Sequence, residues 1–236
     1  MTDLAALLTV QELDNTAGAL RHRLATLPER RALEEANALV VALTTELAGR
    51  EAPQRELERE QRRLEDEAEG LRAKADSENR RLYSGAVTAV RELQAIQEEI
   101  SSLQRRTAQL DEAVLELMMQ IEPLVDGVAD LRGRLEAAQA AADTATVALA
   151  EAEVAVNAEL RATLSQRAAA AGALPAEALA RYEALRPQLA PSTVVRLVGS
   201  RCEGCPSQMP SVEVDRIRHL EAGLVDCDEC GRLVLH

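Results

Sequence analysis

Leu93-Gln-Ala-Ile-Gln-Glu-Glu-Ile-Ser-Ser-Leu-Gln-Arg-Arg-Thr-Ala-Gln-Leu-Asp-Glu-Ala-Val-Leu-Glu-Leu117 carries apolar residues at alternating steps of three and four. The series starts at Leu93, Ile96, Ile100 and Leu103. It passes through Thr107, Leu110, Val114 and Leu117 and continues unbroken to Ile121, Leu124, Val128, Leu131, Leu135, Ala138, Ala142, Ala145, Leu149, Ala152 and Val156. Only Thr107 in this register is polar. A 3–4 spacing held this long is the seam of a left-handed coiled coil, because it keeps one narrow stripe of a helix facing a partner helix.

Reading outward toward the N-terminus, a second seam runs through Val10, Leu13, Ala17, Leu20, Leu24 and Leu27. Pro28 interrupts it. It resumes in a new phase at Leu33, Ala36, Val40, Leu43 and Leu47, then runs more weakly through Leu57, Leu64, Ala68, Leu71, Ala75 and Leu82. Arg50, Gln54, Gln61 and Glu78 hold seam positions in the weaker stretch. Between the arms lies Tyr83-Ser-Gly-Ala-Val-Thr88, in which Gly85 can take a positive φ and Thr88 is expected to cap the next helix. Each arm has about 80 residues, roughly 120 Å if fully helical. Equal arms joined by a short turn predict an antiparallel hairpin within one chain. A parallel dimer of continuous rods is the alternative, and it leaves the break at 83–88 without a role. Pro53 and Pro123 stand at similar distances from the turn, so a shared bend is expected there. Met118 and Met119 fall in that stretch, as core filling or as soft contact residues. From Glu136 to Ala158 the seam becomes alanine-rich and should be thin.

Composition agrees with this architecture. The chain has no Trp, no Phe and two Tyr, so its cores must be built from Leu, Val and Ala. The net charge of −13 repels nucleic acid and anionic membrane. The N-terminal residues carry no basic leader pattern, and no stretch reaches the ~18–20 apolar residues of a membrane span, so a cytoplasmic location is expected.

Beyond Arg167 the register fades, and Gly172 and Pro175 mark a boundary. A short helix from Ala176 to Arg186, with Leu179, Tyr182 and Leu185 on one side, should be ended by Pro187 and Pro191. Thr193 to Gly199 reads as a strand. The expected fold is mostly α: an antiparallel coiled-coil hairpin over 1–170 with its tip at 83–88, a short helix and connector over 171–192, and a small α+β zinc-ribbon domain over 193–236.

That last assignment rests on Cys202-Glu-Gly-Cys205 and Cys227-Asp-Glu-Cys230, the only cysteines in the chain. A CxxC pair folds the backbone into a knuckle whose two sulfurs converge. Two knuckles supply the tetrahedron that structural zinc prefers, with no position left open for chemistry. Gly204 and Gly231 fall where knuckles need unusual backbone angles. Two disulfides, a redox-active pair, a rubredoxin-like iron and a catalytic zinc are the competing readings. Each fits less well with a cytoplasmic chain, a spaced double pair, a lack of aromatics or a closed four-sulfur shell. His219 and His236 could stand in for a cysteine but read as surface residues. Elsewhere no nucleophile motif or phosphate-cradling loop is found, the many Glu and Asp read as solvated helix faces, and His22 reads as a solvated helix position. The chain is not expected to be an enzyme.

Three stretches resemble one bacterial family of coiled-coil proteins with a C-terminal four-cysteine zinc ribbon, with chlamydial, epsilonproteobacterial and actinobacterial members. They are the tip segment Arg81 to Ile100, the approach Tyr182-Glu-Ala-Leu-Arg186, and the ending Cys227-Asp-Glu-Cys-Gly-Arg-Leu-Val-Leu-His236. His236 stands where the family usually has an aromatic, and Ala89-Val90 where it often has Asn-Pro. The resemblance implies a non-catalytic adaptor or chaperone-like protein. Members are associated with protein partners, including an alternative sigma factor and secretion or flagellar components, and in some cases with RNA. Two functions are therefore carried forward. The first is a scaffold acting as a monomer or weak dimer through Tyr83 and Val87 at the tip and through the head. The second is a nucleic-acid-binding head using Arg196, Arg201, Arg216, Arg218 and Arg232. Against the second stand Glu203, Glu213, Asp215, Glu221, Asp226, Asp228 and Glu229 in the same region, and the lack of a stacking aromatic.

Overall fold

The computed structural model describes residues 4–205, 207–219 and 224–235. Glu221 and His236 lie outside the described residues, as does the side chain of Arg218. The chain divides into two compact units, one of residues 33–145 and one of residues 1–32 with 146–236.

The first unit is built from the long helices α2 (Pro28–Tyr83) and α3 (Val90–Gly172). Their pairing is antiparallel, and the ion pairs between them give the direction. Arg81 meets Glu92 at 2.9 Å, Lys74 meets Glu99 at 2.7 Å, Arg106 meets Glu67 at 3.1 Å and Arg132 meets Glu51 at 2.7 Å. Arg72 also pairs with Asp111. The α3 number rises as the α2 number falls, the pattern of an antiparallel pair and not of parallel rods. Each of these exposed pairs is worth only ~0–1 kcal/mol. The stability lies in the seam, where Leu64, Ala68 and Leu110 form one buried cluster and Leu43, Leu131 and Ala138 another. All nineteen expected seam positions of α3, taken one by one, are buried or half-buried. In α2, Gln54, Gln61 and Glu78 are half-buried, but Arg50 is exposed and leaves the seam. Both helices continue through Pro53 and Pro123.

At the turn, Gly85 has φ +75°, and the Ser84 hydroxyl donates to the Arg81 carbonyl at 2.8 Å while accepting from the Ala86 amide at 3.2 Å. Thr88 is not the cap of α3. The Ala89 carbonyl receives the amides of Glu92 and Leu93, each at 3.0 Å, so the helix starts one residue later than expected.

In the second unit, α1 (Ala6–Ala25) is a helix of its own. It ends where the Thr26 amide and hydroxyl donate back to the His22 carbonyl. Pro28 then opens α2, as its missing N–H and fixed φ suit a first helical position. Leu20, Leu27 and Val156 bury together across the break. After α3 come α4 (Ala176–Leu189), β1 (Val194–Val198), β2 (Arg201–Cys202), α5 (Ser211–Arg218), β3 (Leu224–Asp226) and β4 (Leu233–Leu235). Pro187 does not end α4; the helix runs two residues past it to Leu189, at the cost of the one backbone bond its missing N–H would have made to the Glu183 carbonyl. The sheet order is β2-β1-β4-β3, with β1 and β4 parallel and the other pairs antiparallel. Gly199, at φ +65°, makes the tight β1–β2 turn.

The period-two alternation of strands divides this sheet into two faces. Val194, Leu233 and Leu235 pack with Leu7, Val10, Ala171, Leu174, Ala178 and Tyr182 in a helical core. Val195 and Val234, on the other face, pack against Cys202 and Cys227.

Candidate metal centre

Each cysteine pair sits where a strand runs into a turn. Cys202 ends β2, and the Gly204 amide donates to its sulfur at 3.4 Å. After β3, the Cys227 amide donates to the Arg232 carbonyl and the Gly231 amide to the Cys227 carbonyl, both at 2.8 Å. Gly231, at φ +67°, allows the chain to turn back into β4. The four Sγ atoms lie within 4.8 Å of one another, with Cys202 to Cys230 and Cys205 to Cys227 both at 3.9 Å. Four sulfurs ~2.3 Å from a central zinc would be ~3.8 Å apart, so the spacing matches a tetrahedral thiolate shell. Cys202 and Cys227 are each 2 % exposed, while Cys205 and Cys230 are half-buried.

Burial pushes the Cys202 thiol up to about 12, with the neighbouring sulfurs adding to it and the Gly204 amide opposing. The Cys227 thiol is likewise raised by burial, against the amides of Cys230 and Glu229. Burial also acts on Cys230, but the backbone and side chain of Arg232 outweigh it and bring that thiol down to about 7. Four sulfurs this close, two of them buried, would need a cation among them to be held as thiolates. The donor set is soft, closed and suited to a structural ion.

Gly204 departs from the expected backbone role, because its φ is not positive. A Cβ there would lie 2.3 Å from Cδ and 3.0 Å from Nε of Arg232, and 3.1 Å from Cγ1 of Val195. The glycine makes room for the Arg232 stem, whose Nε donates to the Ser192 carbonyl at 2.7 Å. Arg232 is thereby held between the two knuckles, half-buried.

The other arginines are dispersed in role. Arg216 forms a bidentate pair with Glu213. Arg196 and Arg201 are exposed on β1 and β2, and the Arg196 amide is taken by the Glu203 carboxylate at 3.3 Å. Nδ1 of His219 lies 2.6 Å from the Asp215 carbonyl oxygen. In the other unit, Tyr83 is 79 % exposed at the turn and Val87 is half-buried.

A polar joint escaped the sequence reading. Asp14, 5 % exposed, takes a seam place in α1 that the pattern gave to Leu13. It accepts the Tyr182 hydroxyl at 3.0 Å, the Arg167 guanidinium at 3.3 and 3.4 Å, and an ion pair from Arg186 at 3.5 Å. Burial, followed by the Asp14 bond and charge, pushes the Tyr182 hydroxyl well above the ordinary tyrosine range. One turn earlier Gln11 acts as a surrogate strand. Its Nε2 donates to the Val194 carbonyl at 2.9 Å and its Oε1 accepts the Val194 amide at 2.6 Å. The available signal was two polar residues at core spacing beside Leu7 and Val10. The helix α5, which buries Val214 and Ile217 between the cysteine pairs, was also unread.

Among the described residues no helix is long and apolar enough to cross a membrane. Comparison with known proteins agrees with the geometry. Residues 10–190 match the model of the CT398-like coiled coil hairpin domain. An uncharacterized protein of Mycobacterium tuberculosis is 32% identical over 232 residues, spanning 98% of this chain and 94% of its own. A solved structure from Mycobacterium smegmatis is similar with a TM-score of 0.82 and 26% identity, over 98% of this chain and 97% of that one. CT398 from Chlamydia trachomatis shares the fold at a TM-score of 0.64 and 20% identity, covering 98% and 96% of the two chains. A helical hairpin with a small C-terminal sheet and a four-cysteine cluster is consistent with a non-catalytic protein, and this chain belongs to the family of the CT398-like coiled coil hairpin domain.

Proposed function

We propose that the protein is a cytoplasmic, non-catalytic adaptor that binds other proteins, with one structural zinc held by Cys202, Cys205, Cys227 and Cys230 ordering its head. The observation that carries this reading is the turn of the hairpin. There Tyr83, one of only two tyrosines, is 79 % exposed on a backbone fixed by Gly85 and Ser84. A presented aromatic on a rigid turn costs solvation and contributes nothing to the seam, and aromatics are the residues that anchor protein interfaces. Zinc in a closed thiolate shell stabilises the fold and offers no site for substrate. For nucleic acid the head is poorly furnished: Arg232 is committed to Ser192, and Arg216 to Glu213.

The test is affinity capture by the tagged full-length chain in its native host, with and without nuclease. Partners should be retained after nuclease and at moderate salt, and should be lost from Tyr83→Ala. Retention that falls log-linearly with salt, disappears on nuclease treatment and depends on Arg196 and Arg201 would show a nucleic-acid-binding head instead.

A further inference from the structure

Between Thr107 and Leu131 the chain carries six acidic residues and no basic one. Two of the six are neutralised, Asp111 by Arg72 and Asp130 by Arg134. Glu112, Glu116, Glu122 and Asp126 are exposed and enter none of the ion pairs found among the described residues. Interleaved with them are apolar side chains that the hairpin seam does not use. Leu115 is 60 % exposed, Met118 49 %, Met119 74 % and Val125 43 %. Steps of three and four put Glu112, Leu115, Met119, Glu122 and Asp126 on one face of α3. The seam residues Leu110, Val114, Leu117 and Ile121 occupy the other side. Met118 and Met119 thus do not fill the core. Together with Gln61 and Glu122 they and Leu115 border an open cleft of about 610 Å³.

We propose that this face of α3 is a docking site for a basic amphipathic helix of a partner protein. The stretch from Glu112 to Asp126 spans roughly 21 Å, enough for a helix of about four turns. Methionine side chains adapt to the shape of an apolar ridge, and unpaired carboxylates beside them select a ridge flanked by Lys or Arg. The same carboxylates repel a second copy of this acidic chain, an anionic lipid surface and nucleic acid. The inference rests on the protein-binding reading above and adds a surface distinct from the turn at Tyr83.

The test uses the full-length protein and a labelled 18-residue helical peptide with leucines at i, i+3 and i+4 spacing and lysines elsewhere. Micromolar binding is expected. It should weaken at least tenfold when glutamates replace the lysines, and equally when serines replace the leucines. It should weaken at least tenfold in L115S/M119S and in E112Q/E122Q/D126N. Neutralising as many exposed acids elsewhere, at Glu136, Asp143 and Glu151, should leave it unchanged. Equal affinity in L115S/M119S, dependence on charge count alone, or a dimer in sedimentation that L115S/M119S abolishes would each overturn the proposal. If the peptide fails while Tyr83-dependent capture persists, this face is refuted and the adaptor reading stands.

Discussion

Replacing Gly204 with alanine tests how the two cysteine knuckles are joined. The new Cβ would fall 2.3 Å from Cδ of Arg232 and 3.1 Å from Cγ1 of Val195. Ordinary carbon contacts are ~3.5–4 Å. Val195, in β1, is 4 % exposed and held by the sheet, so the arginine stem must give way, by more than an ångström. In moving, it gives up the 2.7 Å bond to the Ser192 carbonyl, and a hydrogen bond from a charged donor is worth about 1.5–3 kcal/mol. Overpacking, at about 1–3 kcal/mol, is the alternative cost and not an added one, because the arginine relieves the clash by moving, so about 2 kcal/mol is expected. If that cost falls on the metal-ordered state, zinc affinity drops about 30-fold. Competition with a chromogenic chelator measures it, with proteolysis of residues 193–236 as a second readout. Arg232→Ala should also weaken zinc binding, and G204A/R232A should be no worse than R232A, because the clash is gone. Additive losses in the double variant, or an unchanged affinity in G204A, would refute the clasp.

The polar joint and the hairpin yield two further expectations. Asp14→Ala leaves the Arg167 and Arg186 guanidiniums and the buried Tyr182 hydroxyl without their shared acceptor. It should destabilise the unit holding α1 and the sheet by about 3–5 kcal/mol, read as a lowered denaturant midpoint, whereas Leu13→Ala should cost much less. With zinc added to protect the native cysteines, thiols introduced at Leu20 and Ala152, which share one apolar cluster, should cross-link within a single chain. Cross-links found only between chains would support an intermolecular coil.

Much of the molecule was legible because coiled-coil packing is the simplest code a chain can carry. Seam residues are apolar and repeat, so all nineteen α3 positions could be located without knowing what they touch. The cysteine cluster was legible for a similar reason, since CxxC spacing defines its own geometry. What escaped depends on partners distant in sequence. Asp14 and Gln11 are polar residues in core positions, and nothing nearby announces that Tyr182 and Val194 will satisfy them. Arg232 was read with four other arginines as a possible nucleic-acid contact, because nothing in the sequence shows that Gly204 leaves space for its stem. Pro187 was read as a stop because a proline forfeits the bond to the carbonyl four residues back, yet only Gln188 and Leu189 follow it in α4, so a single bond is lost. Met118 and Met119 could be read two ways because apolar type alone does not tell a seam from an apolar outer face.

Metal content of the purified full-length protein tests the central claim most directly. Native mass spectrometry should find one zinc per chain, with the four thiols unreactive until a strong chelator removes it. Cys202→Ser and Cys227→Ser should each lose the ion and open residues 193–236 to protease, while the helical circular dichroism of α2 and α3 changes little. A chain that carries no zinc and instead holds its cysteines as disulfides would contradict the assignment, as would one whose entire helical signal melts in a single step when the metal is withdrawn.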